Sequence, residues 1–451
     1  MNTNTTSQNI SAEQTTSTFS AIVQCMNLTV LVAALGYFVD LFDIALYGVV
    51  RMSSLNAIGI TDPTELLGAG VTIYNAQMIG MMVGGIGWGV LADKKGRLSV
   101  LFGSILLYSI GNIANAFVWD VNSYALCRFL TGLGLAGELG AAVTIVAESL
   151  PVHLRGIGTT IIATLGLCGS IAAAAFGKLA NSKTVILGIT MDWKVAYIVG
   201  GVMGLVLLAA RVKMSESEMF QKLSNKKEKA NRGNVMLLFQ NGRFLRYLYC
   251  VMAGAPIYFI TGIFFTFSPE IVKGLGLVGN YTAADAILYG SIGLALGDFA
   301  TGMLSQMLHS RKKSIGISLT VAFALAMAFL LIPGPTPERI YTLCFFMGLM
   351  AGYWAVMITV AAEQFGTNIR GTVATTVPNF IRGSAVIAVT LFRALVGAPT
   401  PSFLTGLIGA ETISAPVAAL GISLVWFGMA FFALSRLEET FSKDLNFVET
   451  N

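Results

Sequence analysis

One motif occurs twice in this chain, and the two copies lie a constant distance apart. The first copy (TIVAE) ends at Glu148 and is followed, after six residues, by Arg155. The second copy (TVAAE) ends at Glu363 and is followed, after six residues, by Arg370. The offset is the same for the acids and for the arginines, since 363 − 148 = 215 and 370 − 155 = 215. Such a duplication predicts a membrane domain made of two like-oriented halves, which suits a carrier whose halves rock about a central site.

The composition indicates a chain that is largely embedded in lipid. Of its 451 residues, 55% are hydrophobic and only 11% are charged, whereas a soluble domain has about 25% charged residues. Because a membrane-spanning helix needs about 20 apolar residues, we predict an all-α integral membrane fold of twelve transmembrane helices in two pseudo-symmetric six-helix halves. Numbered in chain order, spans 1 to 6 cover 22–50, 70–92, 98–118, 122–150, 157–180 and 193–212. Spans 7 to 12 cover 244–272, 283–308, 314–332, 339–364, 371–397 and 412–435.

The distribution of basic residues predicts which ends of the spans face the cytoplasm. Positive charge follows spans 2, 4, 8 and 10, and it is densest in a cytoplasmic basic linker at 213–243. Because cytoplasmic loops carry an excess of Lys and Arg, we expect a multi-pass protein of the plasma (bacterial inner) membrane with both termini cytoplasmic. The six-helix halves are then 21–212 and 244–435, flanked by a disordered tail at 1–20 and a second tail at 436–451.

The residue inventory argues against an enzyme and against a nucleic-acid-binding protein. The cysteines all lie in apolar runs without paired spacing, which predicts small buried side chains and neither disulfides nor a metal site. His153 and His309 are the only histidines, and no constellation of nucleophile and base accompanies them. Nothing in the basic linker resembles a nucleic-acid-binding module. We expect no cofactor and no metal; the expected partners are a small-molecule substrate, protons and the lipid bilayer, for a chain that acts as a monomer.

The loop after span 2 carries a family signature. The stretch from Gly85 to Arg97 reads GIGWGVLADKKGR, with Asp93 four residues after a glycine and Arg97 directly after another. This stretch resembles the signature loop of the major facilitator superfamily, and it stands at the span where that family has it. The second half carries a diverged copy from Gly302 to Arg311, in which a glutamine replaces the aspartate and the arginine comes one residue later. The resemblance implies the twelve-helix fold of that superfamily and a transport function.

Four further stretches are similar to metabolite:proton symporters of the same superfamily. They are 36–48 (GYFVDLFDIALYG), 128–138 (RFLTGLGLAGE), 214–220 (MSESEMF) and 437–445 (LEETFSKDL), the last two without the proline that is usual there. Together with the signature loop, they extend the resemblance over nearly the whole chain. The resemblance implies uptake of a metabolite that is driven by a proton gradient.

Three acids inside the predicted spans are candidates for proton coupling, because an ionisable group costs at least about 2.5–3.5 kcal/mol near the bilayer centre and is retained there for a function. Asp40 and Asp43 are three residues apart in span 1, so they share one helix face. Two neighbouring acids in a low dielectric cannot both ionise at low cost, so at least one should bind a proton near neutral pH. Asp43 is the first choice for proton coupling, followed by Asp40 and by Glu138 of span 4. The alternatives are structural acids that cap or pair with a neighbouring helix and, for Glu138, an ion pair with Arg128.

Buried arginines are candidates for holding a substrate anion. Arg382, near the middle of span 11, carries a permanently charged guanidinium that can bind a carboxylate through two N–H groups. Arg128 stands where similar transporters carry an arginine. The structural alternative for Arg382 is neutralisation by an acid such as Glu138 or Asp298 of span 8, and Asp298 is itself a candidate for substrate contact. Four polar or aromatic residues are further candidates for lining a substrate cavity, although packing is the usual role of each type: Tyr47, Gln77, Tyr258 and Trp354.

A separate group of charged residues at the cytoplasmic helix ends is predicted to act in gating. Its members are Asp93, Arg97, Glu148, Arg155, Glu363 and Arg370. We predict that Glu148 pairs with Arg97 in a network that stabilises the outward-facing state and breaks when the cytoplasmic side opens. The alternative is a static ion pair that only fixes the topology.

These observations together predict a secondary active transporter. The leading hypothesis is proton-coupled symport of a small carboxylate-bearing metabolite, an organic acid or an amino acid, by alternating access. The alternative is a proton-coupled efflux antiporter of drugs or metabolites, in which the acids of span 1 bind cations and Arg382 is structural. Sugar uptake and a transporter-like membrane sensor are less favoured.

Overall fold

The structure is a computed structural model of the chain. It describes residues 28–95, 97–138, 155–186, 188–215, 242–277, 279–331, 333–366, 369–401 and 410–441. The predicted tail at 1–20 and most of the linker at 213–243 lie outside these ranges, and the predicted domain boundaries stay predictions.

Helices dominate the described residues and follow the predicted spans. Spans 1 to 6 contain the helices Leu28–Ala57, Pro63–Lys95, Arg97–Asn115, Val121–Leu135, Arg155–Asn181 and Trp193–Ser215. Spans 7 to 12 begin with Arg243–Phe259 and continue with Ala283–Met307, Arg311–Leu331, Pro337–Ala351 plus Trp354–Glu363, Arg370–Leu395 and Ala415–Arg436. Ten of the described stretches are long and apolar enough to cross a membrane, and Val100–Asn115 of span 3 is a shorter apolar helix. The predicted all-α fold of two six-helix halves is confirmed.

Two spans of the second half are not the uninterrupted helices that the hydropathy predicted. Span 7 continues beyond its first helix as a π-helical segment, Ile260–Thr266, and a short helix, Ser268–Gly274. Pro256 lies inside the first helix, and because it has no amide N–H it loosens the hydrogen-bond ladder just before that segment. Span 10 is interrupted at Gly352 and Tyr353. Interruptions of this kind leave backbone groups that side chains of neighbouring spans must satisfy.

Glycines let the spans of each half approach one another closely. A Cβ atom at Gly132 of span 4 would lie 2.1 Å from the carbonyl oxygen of Gln77 of span 2. A Cβ atom at Gly297 of span 8 would lie 1.9 Å from the carbonyl oxygen of Leu349 of span 10. Both distances are too short for any side chain, so span 2 packs on span 4 in the same way as span 8 packs on span 10.

The two halves meet along spans 2 and 11 and along spans 5 and 8, while span 1 packs on span 5 and also reaches span 8. We call the end of the bundle where span 1 begins and span 12 ends the termini face, and the other end the opposite face. On the opposite face, the strands Val185–Ile186 and Ile189–Thr190 form a small antiparallel hairpin between spans 5 and 6. The predicted coupling acids of span 1 lie in the interior, between the two faces.

Candidate functional site

An ion pair joins the two halves in the interior of the bundle. Asp40 of span 1 and Arg382 of span 11 are both fully buried, and Arg382 Nη2 donates to Asp40 Oδ2 at 2.8 Å. Arg382 Nε also donates to the Tyr258 hydroxyl of span 7 at 3.0 Å. The two members of this pair belong to different halves, so the pair is a contact between them.

Two atoms of the Asp40–Arg382 pair have no hydrogen-bond partner among the described residues. They are Asp40 Oδ1 and Arg382 Nη1. Leaving a buried donor or acceptor unpaired costs about 1–3 kcal/mol, and more for a charged group. The pair therefore presents one carboxylate oxygen that can take a proton and one guanidinium nitrogen that can bind an anion.

A cavity with an aromatic wall lies beside this pair. Its lining includes Tyr37 of span 1, Tyr258 and Phe265 of span 7, and Trp354 of span 10. The Trp354 indole N–H donates to the Tyr37 hydroxyl at 3.0 Å, across the two halves. The Arg382 guanidinium carbon lies 5.9 Å from the centroid of the Tyr258 ring and 6.0 Å from that of Trp354. The structure thus brings two predicted substrate-binding residues, Tyr258 and Trp354, to the wall of one cavity. Arg382 lies behind these two rings and is not itself among the lining residues.

Asp43 forms a second ion pair, which lies entirely inside the first half. Arg128 Nη1 donates to Asp43 Oδ1 at 3.0 Å, and Gln77 Nε2 donates to Asp43 Oδ2 at 3.1 Å. Both carboxylate oxygens of Asp43 therefore have donors from spans of the same half. Arg128 also lies over the ring of Tyr47, 5.6 Å from its centroid. These four predicted residues form one cluster, and none of them is among the described residues that line the cavity.

Glu138 pairs with an arginine that was not predicted as a site residue from the sequence. Arg211 Nη2 lies 3.0 Å from Glu138 Oε2, and Arg211 Nη1 donates to Glu138 Oε1 at 3.1 Å. The Ser104 hydroxyl of span 3 donates to the same Oε1 at 3.4 Å. The predicted alternative, an ion pair between Glu138 and Arg128, is wrong because Arg128 binds Asp43 instead.

Asp298 lies at the interruption of span 10. Its Oδ1 accepts the backbone N–H of Ala355 at 2.8 Å, so it satisfies one of the free amide groups at the start of the second helix of that span. The prediction that Asp298 or Glu138 neutralises Arg382 is therefore wrong, because Asp40 forms the ion pair with Arg382. A contact between Asp298 and a substrate stays a prediction.

At the termini face, the described gating residues belong to the second half. Arg311 donates through Nε and Nη2 to both carboxylate oxygens of Glu363, at 2.7 and 2.8 Å. Arg370 donates to the carbonyl oxygens of Ala362 at 3.1 Å and of Phe365 at 3.2 Å, so it binds the C-terminal end of span 10. The glutamate of the second motif copy thus pairs with the arginine of the diverged signature loop.

The corresponding prediction in the first half is not tested. Glu148 lies outside the described residues, and the side chains of Asp93, Arg97 and Arg155 lie outside them as well. The pairing of Glu148 with Arg97 therefore stays a prediction, and it parallels the observed pairing of Glu363 with Arg311.

Two ion pairs on the opposite face were not predicted from the sequence. Arg51 of span 1 is fully buried and donates to both carboxylate oxygens of Glu270, at 2.7 and 3.0 Å. Lys178 of span 5 pairs with Asp285 of span 8 at 2.6 Å. Both pairs join the two halves, and their partners are 219 and 107 positions apart in the sequence. The only signal in the sequence was a charged residue within or beside an apolar span.

Comparisons with known proteins agree with the fold. The family model of the Major Facilitator Superfamily matches residues 18–390. The chain is 32% identical over 155 residues to the 4-hydroxybenzoate transporter PcaK of Pseudomonas putida, covering 34% of this chain and 33% of that protein. It is 28% identical over 196 residues to the putative niacin/nicotinamide transporter NiaP of Bacillus subtilis, covering 44% of this chain and 46% of that protein. The chain thus matches a third to about half of the length of these curated relatives.

A solved structure shows the same fold over a longer stretch. The crystal structure of a D-xylose-proton symporter covers 92% of this chain and 99% of its own chain, with a TM-score of 0.66 and 16% identity. The matched family and these relatives are transporters and not enzymes, in agreement with the expectation from the sequence.

Proposed function

Because the chain belongs to the Major Facilitator Superfamily, we propose that it is a secondary active transporter that carries a small carboxylate-bearing metabolite together with protons. The observation that carries this proposal is the buried Asp40–Arg382 pair, which joins the two halves beside the aromatic-walled cavity. A site between two halves is reached from each side in turn when the halves rock, which is alternating access.

The substrate carboxylate binds to Arg382 in this proposal. The free Nη1 of the guanidinium supplies N–H donors, and a guanidinium–carboxylate bond is charge-assisted and therefore strong. The rings of Tyr258 and Trp354, which already pack edge-to-face with centroids 5.6 Å apart, supply an apolar wall for the rest of the substrate. The two curated relatives are named for the transport of 4-hydroxybenzoate and of niacin or nicotinamide, so small aromatic acids are the first substrates to test.

The coupling proton resides on Asp40 in this proposal, rather than on Asp43, which the sequence favoured. The Asp40 carboxylate and a substrate carboxylate compete for the same guanidinium. A proton on Asp40 removes its negative charge and releases Arg382 to the substrate, so that anion and proton bind together. Both oxygens of Asp43, in contrast, are held by donors of its own half, and that cluster can move as one body.

The proposed orientation places the termini face in the cytoplasm of a bacterial cell, with the protein as a monomer in the inner membrane. This assignment rests on the basic residues that follow spans 2, 4, 8 and 10. The Arg51–Glu270 and Lys178–Asp285 pairs then close the extracellular side and must separate when the site opens outward.

Transport into proteoliposomes tests this function. An acidic exterior should drive accumulation of labelled 4-hydroxybenzoate, and a protonophore should abolish it. Asp40→Asn should remove this accumulation but keep the exchange of internal for external substrate, because exchange needs no net movement of protons. Asp43→Asn is the matched comparison and should keep proton-driven accumulation per folded molecule.

Two outcomes would contradict the proposal. Accumulation that requires a proton gradient of the opposite sign would establish the alternative, an efflux antiporter. Loss of coupling in Asp43→Asn with normal coupling in Asp40→Asn would return the proton to Asp43.

A further inference from the structure

Span 8 contributes a regular stripe of residues to the wall of the aromatic-walled cavity. Ile287, Ser291 and Leu294 line that cavity, and their spacing of four and three residues places them on one helix face. Asp298 comes four residues after Leu294, so it continues the same face one turn closer to the termini face. Asp298 is buried. It therefore lies just beyond the lining residues, at the side of the cavity that is nearer the termini face.

Asp298 differs from the other buried acids of the described residues in having no basic partner. Its Oδ1 accepts the backbone N–H of Ala355, which is the one hydrogen bond that it makes among the described residues. The other buried acids each form an ion pair, and these pairs are Asp40–Arg382, Asp43–Arg128, Glu138–Arg211 and Glu363–Arg311. An ionised carboxylate that is buried without a partner is so costly that such a group takes up a proton and becomes neutral instead.

No charged side chain on the spans that pack against span 8 bonds to Asp298. These are spans 1, 5, 7, 9 and 10. Their described charged side chains are Asp40, Asp43 and Arg51 of span 1, Lys178 of span 5, Arg243, Arg246, Glu270 and Lys273 of span 7, Arg311, Lys312 and Lys313 of span 9, and Glu338, Arg339 and Glu363 of span 10. Tyr353, at the break of span 10, donates its hydroxyl to the carbonyl oxygen of Ala253. Within the described part of the chain, a proton is therefore what remains to neutralise Asp298.

Asp298 also holds the break of span 10 against span 8. A Cβ atom at Gly352 would lie 2.4 Å from the backbone nitrogen of Asp298, so the break touches the backbone of span 8 directly. The helix Trp354–Glu363 begins after the break, and the Ala355 N–H is one of the amide groups that the start of a helix leaves free. A neutral carboxyl keeps this bond, because its carbonyl oxygen still accepts.

The residue before Ala355 belongs to the cavity wall. Trp354 lines the cavity, and its indole N–H donates to the Tyr37 hydroxyl of the other half. Its ring packs against that of Tyr258, with centroids 5.6 Å apart. A shift at the start of this helix therefore moves Trp354, and with it both the cavity wall and a contact between the halves. Asp298 is thus linked to the cavity through two consecutive residues of span 10.

We propose that Asp298 binds a proton and that this proton holds the break of span 10, and with it Trp354, in the position described above. Loss of the proton leaves a carboxylate without a cation, and its charge is stabilised only when the break moves and water reaches Asp298. Neutral and ionised Asp298 thus favour different positions of Trp354. The proton comes from water and returns to water, so no other reactant is needed. This site is separate from the proposed coupling at Asp40 and does not require that its proton cross the membrane.

Infrared spectroscopy of the full chain in liposomes tests the proton directly, because protonated carboxyls and carboxylates absorb at different frequencies. At neutral pH, the wild-type protein should show a protonated-carboxyl band that Asp298→Asn lacks. Asp43→Asn is the matched control, and it should keep this band because both oxygens of Asp43 are bound by donors. An unchanged band in Asp298→Asn would overturn the proposal.

Two substitutions at Asp298 separate its proton from its hydrogen bond to Ala355. Asparagine resembles the protonated acid, since it is neutral and its amide oxygen accepts the Ala355 N–H. Asp298→Asn should therefore keep the wild-type melting temperature at neutral pH, whereas Asp298→Leu should lower it because that N–H is left unpaired. Equal losses in the two variants would show that the fold needs a charged side chain at this position, and that result would overturn the proposal.

The fluorescence of Trp354 tests its link to the proton, in a background in which phenylalanine replaces the other tryptophans. As the pH rises, the emission should shift to longer wavelength because water reaches the ring, and Asp298→Asn should remove this shift.

Asp40→Asn is the comparison for this measurement, because Arg382, the partner of Asp40, lies 6.0 Å from the centroid of the Trp354 ring. This variant should keep the shift. No shift in the wild-type protein, or a shift that Asp298→Asn keeps and Asp40→Asn loses, would overturn the proposal. None of these measurements needs a transported substrate, so a failure of proton-driven accumulation would reject the proposed function and leave the proton site to be decided by them.

Discussion

The ion pairs formed by the two buried acids of span 1 differ in which half of the molecule supplies the arginine. Asp43 and Asp40 are three residues apart, both are fully buried, and both bind an arginine at 2.8–3.0 Å. Asp43 binds Arg128 inside its own half, whereas Asp40 binds Arg382 of the other half. A pair inside one half holds that half together and moves with it. A pair between the halves is the kind of contact that a motion of one half against the other can change, so it can couple a conformational change to the binding of a proton or a substrate.

The same difference, between ion pairs within one half and ion pairs between the halves, occurs at the two faces of the bundle. Arg311–Glu363 lies inside the second half, while Arg51–Glu270 joins the two halves. We expect loss of a pair within one half to lower mainly the free energy of unfolding. We expect loss of a pair between halves to change mainly the balance of open and closed states. Four predictions test this division, from the largest expected effect to the smallest.

The largest effect is expected for the Asp43–Arg128 pair, which lies inside the first half. Arg128→Gln leaves the buried Asp43 carboxylate without its charge partner, so the free energy of unfolding should fall by about 3–5 kcal/mol. Denaturant unfolding of the purified protein measures this, and the double variant with Asp43→Asn should recover part of the loss. Normal stability combined with lost substrate binding would make Arg128 a substrate ligand instead.

The second largest effect is expected for the Asp40–Arg382 pair, which joins the halves. Arg382→Gln removes the proposed anion-binding group, so substrate affinity should fall at least about 100-fold, which corresponds to about 2.8 kcal/mol. Calorimetric titration with 4-hydroxybenzoate measures the affinity. Arg393→Gln, on the same span but nearer the opposite face, is the control and should bind normally. An unchanged affinity in Arg382→Gln would assign Arg382 a purely structural role.

A smaller effect is expected at the opposite face. Glu270→Gln removes the charge that binds Arg51, so the outward-open state should gain about 1–2 kcal/mol, a factor of 5–30 in population. A cysteine at the cavity-lining position of Ile287, in a background without native cysteines, should then react faster with an impermeant thiol reagent from the outside. Glu65→Gln, an exposed acid at the start of span 2, serves as the control. Equal labelling rates in all three proteins would show that Arg51–Glu270 does not hold the face closed.

The smallest effect is expected at Glu439, beyond the last span. Partial burial raises the pKa of Glu439, but hydrogen bonds from the Ser310 hydroxyl and from the amides of Phe441, Arg311 and Lys312 outweigh it, and the pKa is lowered from its usual 4.5. A carboxyl whose pKa is lower in the folded state stabilises the fold above its unfolded-state pKa. Stability should therefore decline as the pH falls below about 4.5 and through the lower folded value.

Glu439→Gln should weaken the decline in melting temperature between pH 5 and pH 3. Transport at neutral pH should not change, because Glu439 and its four hydrogen-bond partners all belong to the second half or its tail. A pH dependence identical to that of the wild-type protein would mean that Glu439 does not contribute to it.

The hydropathy of the chain was sufficient to find the spans, but it did not find their interruptions. Each span is a run of apolar residues, and that property is local in the sequence. The break of span 10 at Gly352 depends on Asp298, which lies in another span and binds the freed amide of Ala355. An interruption that a distant side chain stabilises leaves little signal in the hydropathy of its own span.

The same limit applies to the candidate site. The sequence named Asp40, Asp43, Arg128 and Arg382 as charges within the membrane, and all four are fully buried. It ranked Asp43 above Asp40 and offered Asp298 or Glu138 as the neutralising acid of Arg382, because charge and depth do not say which side chains meet. Glu138 instead binds Arg211, which lies near the end of span 6, next to the basic linker in the sequence.

The sequence by itself determined the all-helical membrane fold, the duplication into two halves and the set of buried charges, because apolar run length, a repeated motif and the cost of a charge in lipid are readable residue by residue. Only the tertiary structure decided which acid binds which arginine and which of those pairs joins the halves. The physical reason is that partners 85 and 342 positions apart are selected by how each helix is rotated and by how its glycines let it approach the next. Asp40 and Asp43 lie only about 60° apart around span 1 and about 4.5 Å apart along it, and nothing local in the chain records which of the two faces the other half.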